Sequence, residues 1–303
     1  MFEGEAGKTA AFRFTRLLVA KGCIVPRMVA RTAFRRPTIV IFLIVLGALA
    51  VPAASATPRF HVECPFHHFK ADDPIVYPRQ PNASHLHTFF GNKSTDAFST
   101  YRSLRRAHTN CGKRGDKGAY WIPAVFKNGH RVKPTDGDFY YRARTEPLGA
   151  IHPFPKGLKI IAGNHDATRP QSTKVVGWSC FRSAGTEEPR MRDCGQADVK
   201  VLIHFPSCWD GVRKDSHDHM SHMAYSVKRG GGRRGCPKSH PVAVPELSYS
   251  IRLPFHNGRH VHLSSGPFYT MHADFWNAWN QRVLRRLVDK CLHAGIECPS
   301  FEA

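Results

Sequence analysis

Residues 247–253 read Leu-Ser-Tyr-Ser-Ile-Arg-Leu. Six further runs share this brevity: Tyr120–Phe126, Phe139–Ala143, Lys159–Ala162, Val175–Phe181, Val199–Phe205 and Arg259–Leu263. Clusters of Pro, Gly and Asn separate them. Short runs closed off by turn formers read as strands, and a succession of them predicts an all-β fold, sandwich or jelly-roll-like, with long loops. One stretch has a helical repeat instead. With Asp274 as N-cap, apolar residues recur at Trp276, Trp279, Val283, Leu287 and Cys291, while Arg282, Arg285, Arg286 and Lys290 take other faces; Gly295 is the expected stop.

The apolar run Thr38–Val51 follows Arg27, Arg31, Arg35 and Arg36 and precedes the small-residue site Ala54-Ser55-Ala56. This is the pattern of a signal peptide in residues 1–56, with Met28 at a conventional distance from the apolar core and therefore the expected true start. The run is short of the roughly 20 residues of a comfortable membrane span, so cleavage is favoured over a retained anchor and leaves no stable span. Arg35-Arg36 raises a twin-arginine route, which Pro37-Thr38 continues poorly. Residues 57–303 then form a single secreted domain, undivided by any linker or repeat, which we expect to be a monomer in the extracellular space or at the cell wall. Within it 36 basic residues face 21 acidic ones, a net charge of +15. Such a balance suits a polysaccharide or another anionic wall polymer, and nucleic acid non-specifically.

Nine cysteines occur, and Cys23 lies before the cleavage site. The even eight that remain suit an oxidising compartment. Sequence alone allows 105 connectivities. The economical one is local: Cys64–Cys111, Cys180–Cys194, Cys208–Cys236 and Cys291–Cys298.

Histidine is the chemical signal. The chain has 19 of them, and residues 215–225 read Asp-Ser-His-Asp-His-Met-Ser-His-Met-Ala-Tyr. If that segment is extended, Asp215, His217 and His219 share a face; if helical, Asp215, Asp218, His219 and His222 cluster. His85 and His87 form a His-x-His pair that leads into an expected apolar turn, Thr88–Gly91, and His272 sits beside Asp274. Neutral imidazole suits zinc, copper, nickel or iron. We expect His85, His87, His219, His222 and His272 to share one site for a divalent metal, zinc or copper, with Asp218, Asp210 and Tyr225 as catalytic groups. His260 and His262 read as a surface face. Two Gly-rich stretches, Lys228–Gly235 and Lys113–Gly118, read as loops, the first a possible contact for a polyanion.

The run Cys64-Pro65, Asp72–Pro78, Ser84–His87 and Phe90-Gly91, followed by Cys208–Gly211, Asp218–Tyr225, Cys236-Pro237, His240-Pro241 and His272–Phe275, resembles the domain-of-unknown-function family nineteen ninety-six. The matches occur in order from about residue 60 to the C-terminal helix, with basic residues around Pro78–Pro81 as a local departure. Members of that family are secreted proteins of fungi and actinobacteria, sometimes joined to WSC modules. The resemblance implies an extracellular, polysaccharide-rich setting and no defined activity.

These readings lead to an enzyme acting on cell-wall or environmental polysaccharide, a metal-dependent hydrolase or a lyase. In the lyase form a histidine is the base, Tyr225 the acid and an arginine neutralises a uronate. A copper monooxygenase of the histidine-brace type is disfavoured, since cleavage leaves Thr57 at the N-terminus. The alternative is a non-catalytic wall-binding or metal-binding protein. A nuclease is a weaker third, because no motif supports it.

Overall fold

The computed structural model describes residues 57–183 and 186–299, all within one compact unit; the signal-peptide readings lie outside the described residues. Ten strands build two antiparallel sheets. In chain order they are β1 (Arg59–Glu63), β2 (Phe66–Lys70), β3 (His87–Gly91), β4 (Ala119–Pro123), β5 (Asp136–Arg142), β6 (Lys159–Gly163), β7 (Val176–Cys180), β8 (Val199–His204), β9 (Glu246–Leu253) and β10 (His272–Trp276). The first sheet has the order β1-β5-β9-β8-β7 and the second β2-β3-β4-β10-β6. The all-β expectation holds, and all seven runs read from the sequence contain a strand. The Leu247–Leu253 run lies within β9, whose Leu247, Tyr249, Ile251 and Leu253 are fully buried; of the residues on its other face Ser250 and Arg252 are partly exposed and Ser248 is buried.

The main core lies between the sheets. Phe139, Tyr141, Val201 and Ile203 of the first meet Phe90, Tyr120, Ile122 and Phe275 of the second. A buried polar chain crosses it: the Tyr120 hydroxyl contacts Asp116 Oδ2 (2.5 Å) and the Tyr141 hydroxyl (2.6 Å), which accepts from Trp279 Nε1 (2.9 Å). A smaller cluster of Ile75, Phe89, Leu104, Ala119, Trp121 and Trp276 covers the outer face of the second sheet. Leu104 comes from a helix absent from the sequence reading, α1 (Tyr101–Arg106), which Thr100 caps.

Three local expectations are corrected. Asp274 is not a helix cap but the middle of β10; the C-terminal helix α2 spans Gln281–Leu287 behind Asn280, whose side chain accepts from the Arg282 and Val283 amides, and runs on as a π-helical turn to His293. Trp276 shares the helical spacing by coincidence. Thr88–Gly91 is not a turn but most of β3, because its neighbours β2 and β4 take its backbone hydrogen bonds. Lys228–Gly235 is a hairpin, with Val227-Lys228 paired to Arg234-Gly235. The expected stop holds, since Gly295 has φ +72° and its amide reaches Leu292 O.

All four disulfides join the local pairs expected. Beyond α2 the tail returns to β1: Arg59 N–H donates to Ile296 O (3.1 Å), Cys298 N–H donates to Arg59 O (2.8 Å), and the Arg59 guanidinium meets Glu297 at 2.6 Å. Among the described residues no helix is long and apolar enough to cross a membrane. Loop closure orders the bridges by effect. Replacing Cys64 and Cys111, 47 residues apart and buried, by alanine is expected to cost about 2–5 kcal/mol in denaturant unfolding, and replacing Cys291 and Cys298, 7 apart, distinctly less.

Candidate functional site

The pleat of the second sheet decides what reaches the site. Because alternate residues of a strand face opposite sides, β4 sends Tyr120 and Ile122 into the core and Trp121 outward. Opposite Trp121 stand Phe89 of β3 and Asp274 of β10. One step along the same face lie His87 and His272, the first residues of their strands. His272 pairs with Gly163 at the end of β6, and a Cβ there would lie 2.7 Å from Met271 O and 2.9 Å from the His272 Cα. Only glycine, here at φ +89°, lets the edge strand close on this histidine.

Three of the five expected histidines converge. The ring centroids of His85 and His87 are 4.3 Å apart, those of His85 and His272 5.0 Å, and those of His87 and His272 5.9 Å. One ligand atom from each lies within 4.8 Å of the others. A second group, Asp73, His87 and Asp274, meets the same criterion and shares His87. The Nδ1–H of His87 donates to Asp72 O (3.0 Å) and that of His272 to Thr270 O (2.9 Å), which leaves each Nε2 with its lone pair. The Nε2 atoms of His85 and His87 and both carboxyl oxygens of Asp274 are buried without a hydrogen-bond partner among the described residues. Asp73 uses one oxygen, Oδ1, to accept from the amides of Ile75 and Val76.

Burial sets the charge of the cluster. Desolvation lowers His85 to about 4 and His272 to about 3, and holds His87 well below the usual range, so all three imidazoles are neutral at pH 7. Desolvation, with the nearby Asp73, pushes the Asp274 carboxyl well above the carboxylate range, and burial raises Asp73 as well.

His219 stands beside this group rather than in it. Its Nδ1 meets Asp215 Oδ1 at 2.8 Å, Lys159 Nζ meets Asp215 Oδ2 at 2.8 Å, and both side chains act to lower the Asp73 carboxyl against the rise that burial gives it. Lys159 also lies 4.7 Å from the Trp276 ring centre. The 215–222 segment is neither strand nor regular helix: it is a pair of turns with His219 at φ +57°. His222 is fully buried with Nδ1 bonded to Ser216 Oγ (2.9 Å) and Nε2 to Lys159 O (2.7 Å), so neither nitrogen is open to an ion. It pins the turns to the edge strand β6. Asp218 Oδ1 accepts from Ser216 Oγ and from the Met220 and Ser221 amides, and these bonds hold its carboxyl far below the usual range. Asp210 caps its own turn through the amides of Val212 and Arg213 and pairs with the Arg213 guanidinium at 2.7 Å. The Tyr225 hydroxyl donates to His204 O (2.9 Å) and its ring lines a different cleft. These four lie outside the imidazole group. Asp73 and the exposed His165, 5.9 Å from His272 between ring centres, were not singled out from the sequence; Asp73 sits in the Asp-Asp-Pro run, and only its place under the sheet's outer cluster marks it.

The model of the family described as Domain of unknown function (DUF1996) matches residues 73–279. The chain belongs to that family. The DUF1996 match opens at Asp73 and takes in His85, His87, His272 and Asp274. No curated protein and no solved structure matches the chain.

The shifts carry opposite signs for stability. An unfolded imidazole titrates near 6.5 and folded His272 near 3, so its contribution is present above about 6.5 and is lost as pH falls towards 3. Asp274, raised above 3.8, contributes fully below that value and loses it as pH rises. In chelator, His272→Gln should flatten the fall in melting temperature below about pH 6.5, whereas Asp274→Asn should raise the melting temperature at about pH 8 and change it little at about pH 3.5. Thermal melts across pH check both; pH-independent offsets would contradict the assignment.

Proposed function

We propose that this DUF1996 protein is an extracellular metalloprotein, with His85, His87 and His272 holding a divalent transition metal ion, and that the site serves an enzyme acting on cell-wall or environmental polysaccharide. The observation that carries the metal reading is a set of converging donors, of which His85 Nε2, His87 Nε2 and both Asp274 oxygens are buried without a partner among the described residues. Three neutral imidazoles have ligand atoms within 4.8 Å of one another, beside a carboxyl with no partner. Zinc and copper fit such nitrogen-rich sets, and their ligands lie roughly 3–4 Å from one another around the ion. The carbonyls of Asp72 and Thr270 fix the tautomers, as outer partners of metal-binding histidines do.

A bound ion of this kind acidifies a water or polarises an oxygen of the substrate. The chain's own groups supply the rest. Asp274, whose carboxyl burial holds well above the usual range, would stand beside the ion as the group able to accept a proton. His85 is the half-buried member and marks the side from which solvent reaches the group, while Asp73, His219 and Asp215 form its polar border. The polysaccharide part is supported by the four disulfides, which suit an extracellular protein, and by the net charge of +15 over residues 57–303, which favours acidic polymers.

One observation favours a second reading, a metal-binding protein without turnover. His87 and Asp274 are fully buried and His272 is 4 % exposed, so a polymer has little of the group to touch. Elemental analysis followed by incubation with a panel of glycans separates the two. Metal with product release is the enzyme; metal alone is the binder. The wild-type protein should carry about one equivalent of zinc or copper, and His87→Ala about none. His222→Ala should keep the metal and melt at lower temperature, because its imidazole ties the 215–222 turns to β6. Full metal content in His87→Ala would overturn the site.

A further inference from the structure

A cleft opens at one end of the first sheet, where β8 ends and β7 and β9 begin. Its volume is about 680 Å³, and it lies under the cationic hairpin. The hairpin contributes Lys228 and Arg234, and the segment before β7 contributes Lys174. None of these three cations pairs with a carboxylate among the described residues. Arg234 bonds instead to the Ser226 hydroxyl and carbonyl.

The floor is organised from below. His204, 7 % exposed, bonds through Nδ1 to Ser248 Oγ (3.1 Å) and through Nε2 to Glu187 Oε2 (2.9 Å). Glu187 lies flat on the sheet because β7 has glycine beneath it: a Cβ on Gly177 would stand 2.7 Å from its Oε2. Above the same histidine, the Tyr225 hydroxyl is tied to His204 O, which fixes an aromatic ring that is 37 % exposed. The cleft thus has three cations without a carboxylate partner among the described residues, an Arg144–Glu246 ion pair, a held carboxylate with an oxygen left to accept, and an anchored ring.

We propose that this cleft binds one unit of an acidic polysaccharide, a uronate residue. An acidic sugar carries in one ring the features these groups complement. Its carboxylate suits Lys174, Lys228 and Arg234, its hydroxyls donate to Glu187, and its C–H face lies on Tyr225. A simple phosphate or sulfate meets the cations but offers no hydroxyl donor to Glu187 and no C–H face to Tyr225. Nucleic acid needs several stacking rings, and this cleft offers one. His204 is a positioning residue here, since both of its nitrogens are engaged. The proposal takes its ligand class from the polysaccharide reading and does not depend on the metal.

The test is calorimetric titration of the full chain, in excess chelator, with an oligogalacturonate and with a neutral oligosaccharide of the same length. The acidic oligomer should bind at least about tenfold more tightly, and the double variant Lys174→Gln/Lys228→Gln should lose about tenfold and most of the preference, the scale of a charge-assisted hydrogen bond. Arg285→Gln/Arg286→Gln, equal in charge removed but on α2, should leave binding unchanged. Tyr225→Ala should weaken the acidic and neutral oligomers alike. Equal binding of the two oligomers by wild type, an equal loss from the α2 variant, or displacement by duplex DNA at equal charge would overturn the proposal. Chelator leaves the cleft intact, so a negative result here counts against the cleft alone, and a failure of metal uptake counts against the imidazole site alone.

Discussion

The two-residue alternation of β3, β4 and β10 is the constraint from which the rest of the molecule follows. The same three strands must fill the space between the sheets with Phe90, Tyr120 and Phe275 and present His87, Trp121 and Asp274 on the reverse. A slip of one residue in any of them exchanges the two sets. The register that makes the core is therefore also the register that makes the site, and the polar cluster inherits its rigidity from the aromatic packing behind it.

That rigidity opposes a cost. Buried carboxyls and ring nitrogens without partners are destabilising by about 1–3 kcal/mol each, and Asp274 alone presents two such oxygens. A sheet that needed only stability would place apolar residues there, as it does a step away at Ile161 and Phe89. The fold instead encloses polar donors under the loop carrying Asp73 and Ile75 and closes the edge with Gly163, so the arrangement is one that a bound cation would complete.

Much of the architecture was legible because strand signals are local. Val199–Phe205 and Leu247–Leu253 announce themselves by length and by the turn formers around them, and near neighbours in sequence made the four disulfides readable. Asp274 was misread because its acidic side chain before a run with steps of three and four imitates a helix start, whereas the deciding fact is pairing with Trp121, 153 residues away. The histidines divide on the same principle. His85, His87 and His272 belong together because β3 and β10 both flank β4, which no spacing in the chain encodes. The densest histidine segment, 217–222, contributes mainly to pinning and to the border, since in turns the side chains answer first to their own backbone.

The return of the C-terminal tail to β1 has a mechanical meaning. Through the Arg59–Glu297 pair and the backbone bonds beside it, the two ends of the described chain leave the molecule at one corner. Force applied between those ends would act first on the bonds between the tail and β1, the edge strand of the first sheet, while the Cys291–Cys298 bridge keeps the tail tied to the C-terminal helix. Cargo or a tether joined directly at residues 57 and 299 would hang from the same point, and two such attachments would crowd each other rather than bracket the domain.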